Sequence, residues 1–180
     1  NISLVNALIH VQLENGRNYP PQVLNAALQS RGDRYQLQVR IERSANRAES
    51  LELRVDGSGV TGTEQFSARF YADIPPQDES FWFQFLPRSL PDSELQLQRL
   101  QLASELWGEW RGRQLRQLSG RLQVPMLHWQ DQGRQQQLSD FDVQLLLTSQ
   151  DGGNWQFQFD DIRGQLDQRP LAVQRLQGQW

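Results

Sequence analysis

The strongest constraint in this sequence is a period of two in its apolar residues. Apolar and polar residues alternate across Tyr35–Ile41, Leu51–Val55 and Trp155–Phe159. Successive side chains of a β-strand point to opposite faces of the sheet, so each run gives one apolar and one polar face. At helical spacing the same residues would be spread around the whole axis. The alternation therefore predicts an all-β fold made of half-buried strands.

Turn-forming residues separate these runs. Asn15-Gly16, Arg31-Gly32-Asp33 and Asp151-Gly152-Gly153-Asn154 supply residues that tolerate the positive φ of tight hairpins. Strands joined by short turns pair antiparallel, so we expect a long, twisted antiparallel meander that forms a curved sheet or half-pipe groove. The predicted strands are Ala7–Asn15, Val23–Ser30, Tyr35–Glu42, Leu51–Asp56, Glu64–Ala72, Leu102–Arg111, Leu115–Val124, Leu127–Gln130, Leu138–Ser149, Trp155–Asp161 and Leu171–Gln179.

One segment breaks the pattern, from about residue 75 to residue 101. Pro75-Pro76 is expected to end the preceding strand, because proline lacks the N–H that a strand ladder uses. Residues 94–98 fit a short helix and a strand equally well. We expect a short helical or irregular insertion near 75–101, within one β-rich structural unit that spans residues 1–180.

The amino-acid composition argues against several classes of site and of binding partner. The chain has no Cys, which excludes a disulfide and a cysteine-based metal site or nucleophile. Its net charge of -3, from 18 basic and 21 acidic residues, argues against general nucleic-acid binding. Only 37% of the residues are hydrophobic. The polarity comes largely from 28 Gln, which stand at the alternate positions opposite the apolar ones.

Side chains suited to catalysis or metal binding are scattered. His10 and His128 lie far apart and in no metal-ligand spacing, and no nucleophile elbow positions a serine. Asp160-Asp161 is expected at a strand end with its carboxylates on opposite faces, which does not suit acid–base chemistry. Arginines and tryptophans lie close together over Trp107–Trp129, which would suit phosphate groups or single-stranded nucleic acid but equally fits a solvated strand face. We expect no enzyme activity, metal or cofactor.

The apolar face is the feature with functional content, because a large apolar surface needs a cover. The sheet can cover itself, as in a sandwich or barrel, or a ligand with long apolar parts can cover it. A lipid is an adequate cover, since each buried CH₂ contributes about 0.8 kcal/mol. The alternation alone leaves both solutions open. The candidate lining residues are Tyr35, Leu37, Val39, Leu51, Leu53, Val55, Phe141, Val143, Leu145, Leu147, Trp155, Phe157 and Phe159.

A family resemblance is carried by LWGEWRGRQLRQLSGRLQVPMLHWQ at Leu106–Gln130, and by LSDFDVQLLL, a Gly turn and WQFQF over Leu138–Phe159. With these stretches, most of the chain resembles the AsmA-like family of large periplasmic proteins of Gram-negative bacteria, and most closely its YhdP-like branch. The N-terminal segments ALIHVQLENG, GDRYQLQVRIE and LELRVDG fit the repeated strand units of the same family. No catalytic or cofactor residues carry over from it.

This resemblance implies a long periplasmic body that is anchored to the inner membrane and whose repeating β-groove units form a hydrophobic channel. It implies movement of phospholipid between the inner and outer membranes, and so maintenance of the outer-membrane barrier. The implied partners are phospholipid or another acyl-chain lipid and the neighbouring β-repeats of the same protein. Nucleic acid is not among them, and membrane contact would come only through other parts of the protein. The chain would then be an internal fragment of a longer repeat body.

Three functions follow from these patterns. The leading one is non-enzymatic lipid handling, with acyl chains along the apolar strand faces. The second is a structural or interaction module of the cell envelope without a ligand, in which a sheet edge recruits a partner strand. The third is a carbohydrate-binding or hydrolytic β-domain that uses exposed Trp and Asp side chains.

Overall fold

The chain is built of β-strands throughout the part that a computed structural model describes, residues 1–9, 22–42, 50–77, 95–150 and 154–179. These residues contain no helix, so the all-β prediction is confirmed. The strands are β1 (Ile2–Ile9), β2 (Gln22–Arg31), β3 (Arg34–Glu42), β4 (Ser50–Ser58), β5 (Ser67–Gln77), β6 (Gln96–Arg111), β7 (Gln114–Asp131), β8 (Arg134–Ser149), β9 (Trp155–Leu166) and β10 (Arg169–Gln179).

The strands follow one another in a single open sheet. Its order is β1-β2-β3-β4-β5-β6-β7-β8-β9-β10, so every strand is hydrogen-bonded to its neighbours in sequence. Pairing is antiparallel, as short hairpin connections require. The predicted antiparallel meander is therefore confirmed, and β1 and β10 are its two edges within the described residues.

The chain divides into two compact units. Unit 1 comprises residues 1–75 and 106–117, and unit 2 comprises residues 76–105 and 118–180. Strand β6 has 16 residues and contributes to both units, because the division falls at Leu106. The expectation of one structural unit over residues 1–180 stays a prediction.

Two predicted strand boundaries are wrong at positions that contain proline. Strand β5 continues through Pro75 and Pro76 to Gln77, and the two strands predicted on either side of Pro125 form the single strand β7. The fixed φ of proline is compatible with extended backbone, and its only loss in a ladder is one N–H. Proline therefore does not end a strand here, because the remaining hydrogen bonds to neighbouring strands keep the backbone extended.

Other boundaries also differ from the prediction. The first strand begins at Ile2 rather than at Ala7, and β9 does not end at Asp161 but continues to Leu166. Residues 96–101 of the predicted insertion are part of β6, so the strand alternative holds there rather than the helix. Residues 78–94, which include the aromatic run at Ser80–Leu86, lie outside the described residues, as does His10.

Bulges keep the apolar residues on one face where the sequence alternation slips. The register between β1 and β2 shifts between Leu4 and Ala7, around Asn6 at φ 52°. Two further shifts between β8 and β9 coincide with Asp140 at φ 52° and Asp161 at φ 51°. One extra residue on one strand restores the phase of the side chains that follow it. Asn and Asp suit these positions because they tolerate the left-handed conformation better than most residues.

Glycines on the apolar faces make room for aromatic rings from the adjacent strand. Tyr35 is the cross-strand partner of Gly57, and Phe157 is the partner of Gly178; a Cβ on either glycine would overlap the facing ring. Gly108 stands in the same relation to the Phe70 ring. Of the roles that a strand glycine can have, close approach by a neighbour explains these positions.

The pairing of Gly108 with Phe70 is testable by a double-mutant cycle. We expect Gly108→Ala to lower the free energy of unfolding by about 1–3 kcal/mol, because the new methyl group would overlap the Phe70 ring. In a Phe70→Leu background the smaller side chain leaves space, so the two changes should couple by more than about 0.5 kcal/mol in urea denaturation. Strictly additive effects would contradict the proposed contact.

Candidate functional site

The apolar face of unit 1 is assembled by cross-strand pairing. Leu37 lies opposite Val55, and Val39 lies opposite Leu53. The rows extend to both sides through pairs that share the same face, namely Leu37–Leu28, Val39–Ala26, Val55–Phe70, Leu53–Ala72 and Leu51–Ile41. The structure thus brings together the six candidate lining residues of this unit: Tyr35, Leu37, Val39, Leu51, Leu53 and Val55.

Tyr35 marks the end of this face nearest the β2–β3 turn. Its ring stacks on Phe66 with a centroid distance of 6.2 Å and an interplanar angle of 10°. The hydroxyl oxygen is buried and has no hydrogen-bond partner, and this burial raises the pKa of Tyr35. A buried hydroxyl without a partner is unfavourable, so Tyr35 lies here for its ring rather than for its oxygen.

The apolar face of unit 2 is built in the same way. Leu145 lies opposite Phe159, Leu147 opposite Phe157, and Trp155 opposite Ser149. The Phe157 and Phe159 rings contact each other at 5.4 Å between centroids. The other two candidates are Phe141, whose backbone lies against Gly164 beside the Asp140 bulge, and Val143, on the same face of β8 as Leu145.

The side chains on both faces are only partly covered. Val143 is 4% exposed, but the other candidate lining residues are half-buried, and no large side chain of the described residues is fully buried. Toward the edge strands the same faces become more exposed, at Ile2 and Leu4 in unit 1 and at Val173 and Leu176 in unit 2. Two stacked sheets would bury such residues completely. The apolar faces therefore retain surface that a ligand can cover.

The opposite face carries ion pairs and hydrogen bonds, both within one strand and between neighbouring strands. In unit 1, Glu52 accepts hydrogen bonds from Arg54 at 2.8 Å and from Gln38 at 3.1 Å. Partial burial alone would raise the pKa of Glu52, but these hydrogen bonds and the nearby arginines bring it below its usual value. In unit 2, Arg121 Nε donates to Asp142 at 2.8 Å and Arg175 Nε donates to Asp160 at 2.6 Å.

Three arginines of the Trp107–Trp129 stretch are held by neighbouring groups. Arg111 lies 3.5 Å from Glu109, Arg113 donates to the Gly62 carbonyl at 3.0 Å, and Arg121 pairs with Asp142. Paired guanidinium groups on a strand face give a weaker positive field than free ones. The arrangement favours a solvated face over a phosphate-binding surface.

The described ranges contain neither a cluster of metal-ligating side chains nor a helix that could span a membrane. No group of three or more metal-ligating side chains occurs in them. No helix among the same residues is long and apolar enough to cross a membrane. His128 lies in β7, while His10 falls outside the described residues.

Sequence reasoning missed the bulges and one aromatic pair. The bulges at Asn6, Asp140 and Asp161 have a signal in the sequence, because an Asn or Asp stands where the apolar alternation changes phase. The pairing of Tyr71 with Trp107 on the polar face has no local signal, since the two residues are brought together only by the register of β5 with β6.

The Arg121–Asp142 pair predicts a specific acid response. The hydrogen bond from Arg121 holds the pKa of Asp142 in the folded protein below its usual value. The pair therefore stabilises the folded state fully above the ordinary carboxyl pKa of about 4. This stabilisation is lost as the pH falls through the pKa that Asp142 has in the folded protein. We expect Asp142→Asn to lower stability at pH 7 and to flatten its decline in acid, measured by urea denaturation at each pH. Asp33→Asn, in the exposed β2–β3 turn, is the control. An unchanged acid limb in Asp142→Asn would contradict the assignment.

Comparison with known proteins gives no relative from which a role can be transferred. No protein-family model matches the chain, and no curated protein or solved structure is significantly similar to it. The features of this chain that bear on function are therefore its two apolar faces and the stretches quoted for the AsmA-like resemblance.

Proposed function

We propose that this chain handles lipid without catalysis, as a segment of a hydrophobic groove. In this proposal it moves phospholipid between the inner and outer membranes and so maintains the outer-membrane barrier. The setting is the periplasm, in a protein anchored to the inner membrane, as the AsmA-like resemblance implies. The observation that carries the proposal is the pair of apolar strand faces, aligned by register and without any fully buried large side chain in the described residues.

The chemistry of these faces suits acyl chains. Their described members are aliphatic and aromatic side chains from adjacent strands, spaced about 4.8 Å apart, so a hydrocarbon chain can cross several of them without meeting a charge. Burial of each CH₂ contributes about 0.8 kcal/mol. Tyr35 and Phe157 also cover the glycines opposite them, which fills the gaps that those glycines would leave in the floor.

The charged face gives the groove its polarity. Gln, Arg, Asp and Glu side chains hydrogen-bond to one another on the opposite side of the strands, as at Glu52 and Asp160. Charged groups of this kind disfavour an acyl chain, because they would lose water without gaining a partner. In the proposed groove, acyl chains therefore lie on the apolar side only, while head groups remain at the wet edge.

Adjacent leucines on β8 provide a matched test of the lipid proposal. Leu145 belongs to the apolar face opposite Phe159, whereas Leu146 lies opposite Gln158 on the other face. We expect Leu145→Gln to reduce photocrosslinking to phosphatidylethanolamine vesicles with a diazirine-bearing acyl chain by about tenfold, because full burial of a leucine contributes roughly 1.5–3 kcal/mol and an acyl chain would complete the burial of this half-buried side chain. Leu146→Gln should crosslink like the unaltered protein.

The outcome is interpretable only for folded variants. Both leucine variants are expected to keep the β-strand signal in far-UV circular dichroism, since each changes one half-buried side chain. Equal crosslinking in all three proteins, or none in the unaltered protein, would contradict lipid binding at this face.

A second candidate function is a structural module that recruits a partner strand. The observation that favours it is the edge strand β1. This strand carries no charged residue, and its Val5 is 73% exposed. The other edge, β10, carries Pro170 with Arg169 and Arg175. Charges and proline on an edge oppose further strand pairing, whereas their absence on β1 permits it. The proposed partner is another β-repeat strand, so self-association of this chain is a direct readout.

A charge on β1 tests this second candidate. We expect concentration-dependent self-association in light scattering, and we expect Val5→Lys to remove it because a lysine on the edge must be desolvated on pairing. Val60→Lys is the matched control, since Val60 is 66% exposed in the β4–β5 connection and belongs to no strand. A chain that is monomeric at all concentrations, or an unaffected Val5→Lys variant, would contradict strand recruitment at β1.

A further inference from the structure

The polar face of unit 1 carries two aromatic side chains that the apolar face does not use. Tyr71 on β5 and Trp107 on β6 contact each other with a centroid distance of 5.3 Å and an interplanar angle of 49°. Arg54, the cross-strand partner of Tyr71, places its guanidinium carbon 5.8 Å from the centre of the Tyr71 ring. Trp107 remains 45% exposed. An exposed indole on a polar sheet face serves neither the core nor the proposed lipid groove.

The register explains why a pocket forms beside this pair. One row of cross-strand partners runs Ala27, Gln38, Arg54 and Tyr71 across β2 to β5. Ala27 is the smallest member of that row, so it leaves space between the longer side chains. The resulting open pocket has a volume of about 430 Å³ and includes Trp107 in its wall. Sites for small molecules begin at roughly 300 Å³.

The second row supplies fixed hydrogen-bonding groups. It runs Gln29, Gln36, Asp56 and Arg69, which also line the pocket. Gln36 Nε2 donates to Asp56 Oδ2 at 3.2 Å, which orients both side chains. A primary amide has two N–H groups and an acceptor oxygen, and a carboxylate has about four acceptor positions, so both retain capacity for a ligand.

The charges around the pocket are balanced by neighbours. Arg54 lies 2.7 Å from Glu52, and Arg69 lies 3.1 Å from Glu109. With Asp56 also in the wall, the two arginines face three carboxylates. Such a site gives little attraction to phosphate, which requires unpaired guanidinium or ammonium groups. A neutral ligand with many hydroxyl groups fits this balance.

We propose that this pocket is a binding site for a neutral saccharide, a further activity that does not depend on the lipid proposal. The exposed Trp107 ring provides a flat surface for the C–H face of a pyranose ring. Around it, Gln36 and Asp56 exchange hydrogen bonds with sugar hydroxyls, which both donate and accept. Leu37, Val55 and Phe70 also contribute to the pocket lining, but the two polar rows lie on the face opposite their side chains, so saccharide and acyl chain would occupy different sides of the same strands.

The probes are four neutral oligosaccharides: maltotetraose, cellotetraose, laminaritetraose and chitotetraose, titrated at millimolar concentration into ¹⁵N-labelled protein. We expect at least one to shift the Trp107 indole N–H resonance together with the Gln36 and Gln38 side-chain amides. Trp107→Ala should weaken that binding about tenfold or more, while Trp107→Phe retains part of it because an aromatic ring remains.

Trp110 provides the matched control within the same strand. It is 37% exposed, it lies three positions along β6, and its indole N–H donates to the Gly112 carbonyl at 3.1 Å. Trp110→Ala should bind the oligosaccharide like the unaltered protein. The proposal is overturned if no oligosaccharide shifts these resonances, if Trp110→Ala loses binding to the same extent as Trp107→Ala, or if inorganic phosphate shifts them in place of sugar. Lipid crosslinking of Trp107→Ala, measured in parallel, should stay unchanged.

Discussion

The antiparallel hydrogen-bond ladder is the constraint on which the rest of this molecule depends. Because each strand pairs with its sequence neighbour, a residue's face is fixed by its position along the strand, and the alternation in the sequence becomes a separation of chemistry in space. Leu37 and Val55 meet on one side, while Gln38 and Arg54 meet on the other. Both proposed activities are consequences of this separation, since one uses each side.

Much of the fold was predictable because the relevant information is local. Alternation defines strands, and Gly, Asn and Asp define turns, so the meander and the shared faces of β3 and β4 follow from short stretches of sequence. The strand end expected at Pro75-Pro76 and the gap left between the predicted strands Leu115–Val124 and Leu127–Gln130 were wrong, because pairing with neighbours maintains extended backbone there. The pairing of Tyr71 with Trp107 depends on a register between strands that are distant in sequence, and no local pattern encodes it.

Glycine and aromatic residues act as complementary halves of one packing unit on the apolar faces. Tyr35 with Gly57, Phe70 with Gly108, and Phe157 with Gly178 each place a ring over the strand position that lacks a side chain. These contacts between rings and glycines also account for a surface of half-buried aromatic side chains without a deep core.

The bulges at Asn6, Asp140 and Asp161 show how such a sheet can accommodate single-residue insertions during evolution. In a regular strand, inserting one residue would turn every following side chain to the wrong side and ruin the fold. A β-bulge accommodates the extra residue locally, because two residues of one strand lie opposite one residue of its partner. The side chains that follow then point to their original faces. Single-residue insertions therefore need not be lethal to a protein of this design. Its strands can lengthen one residue at a time while the two sides keep their separate chemistry.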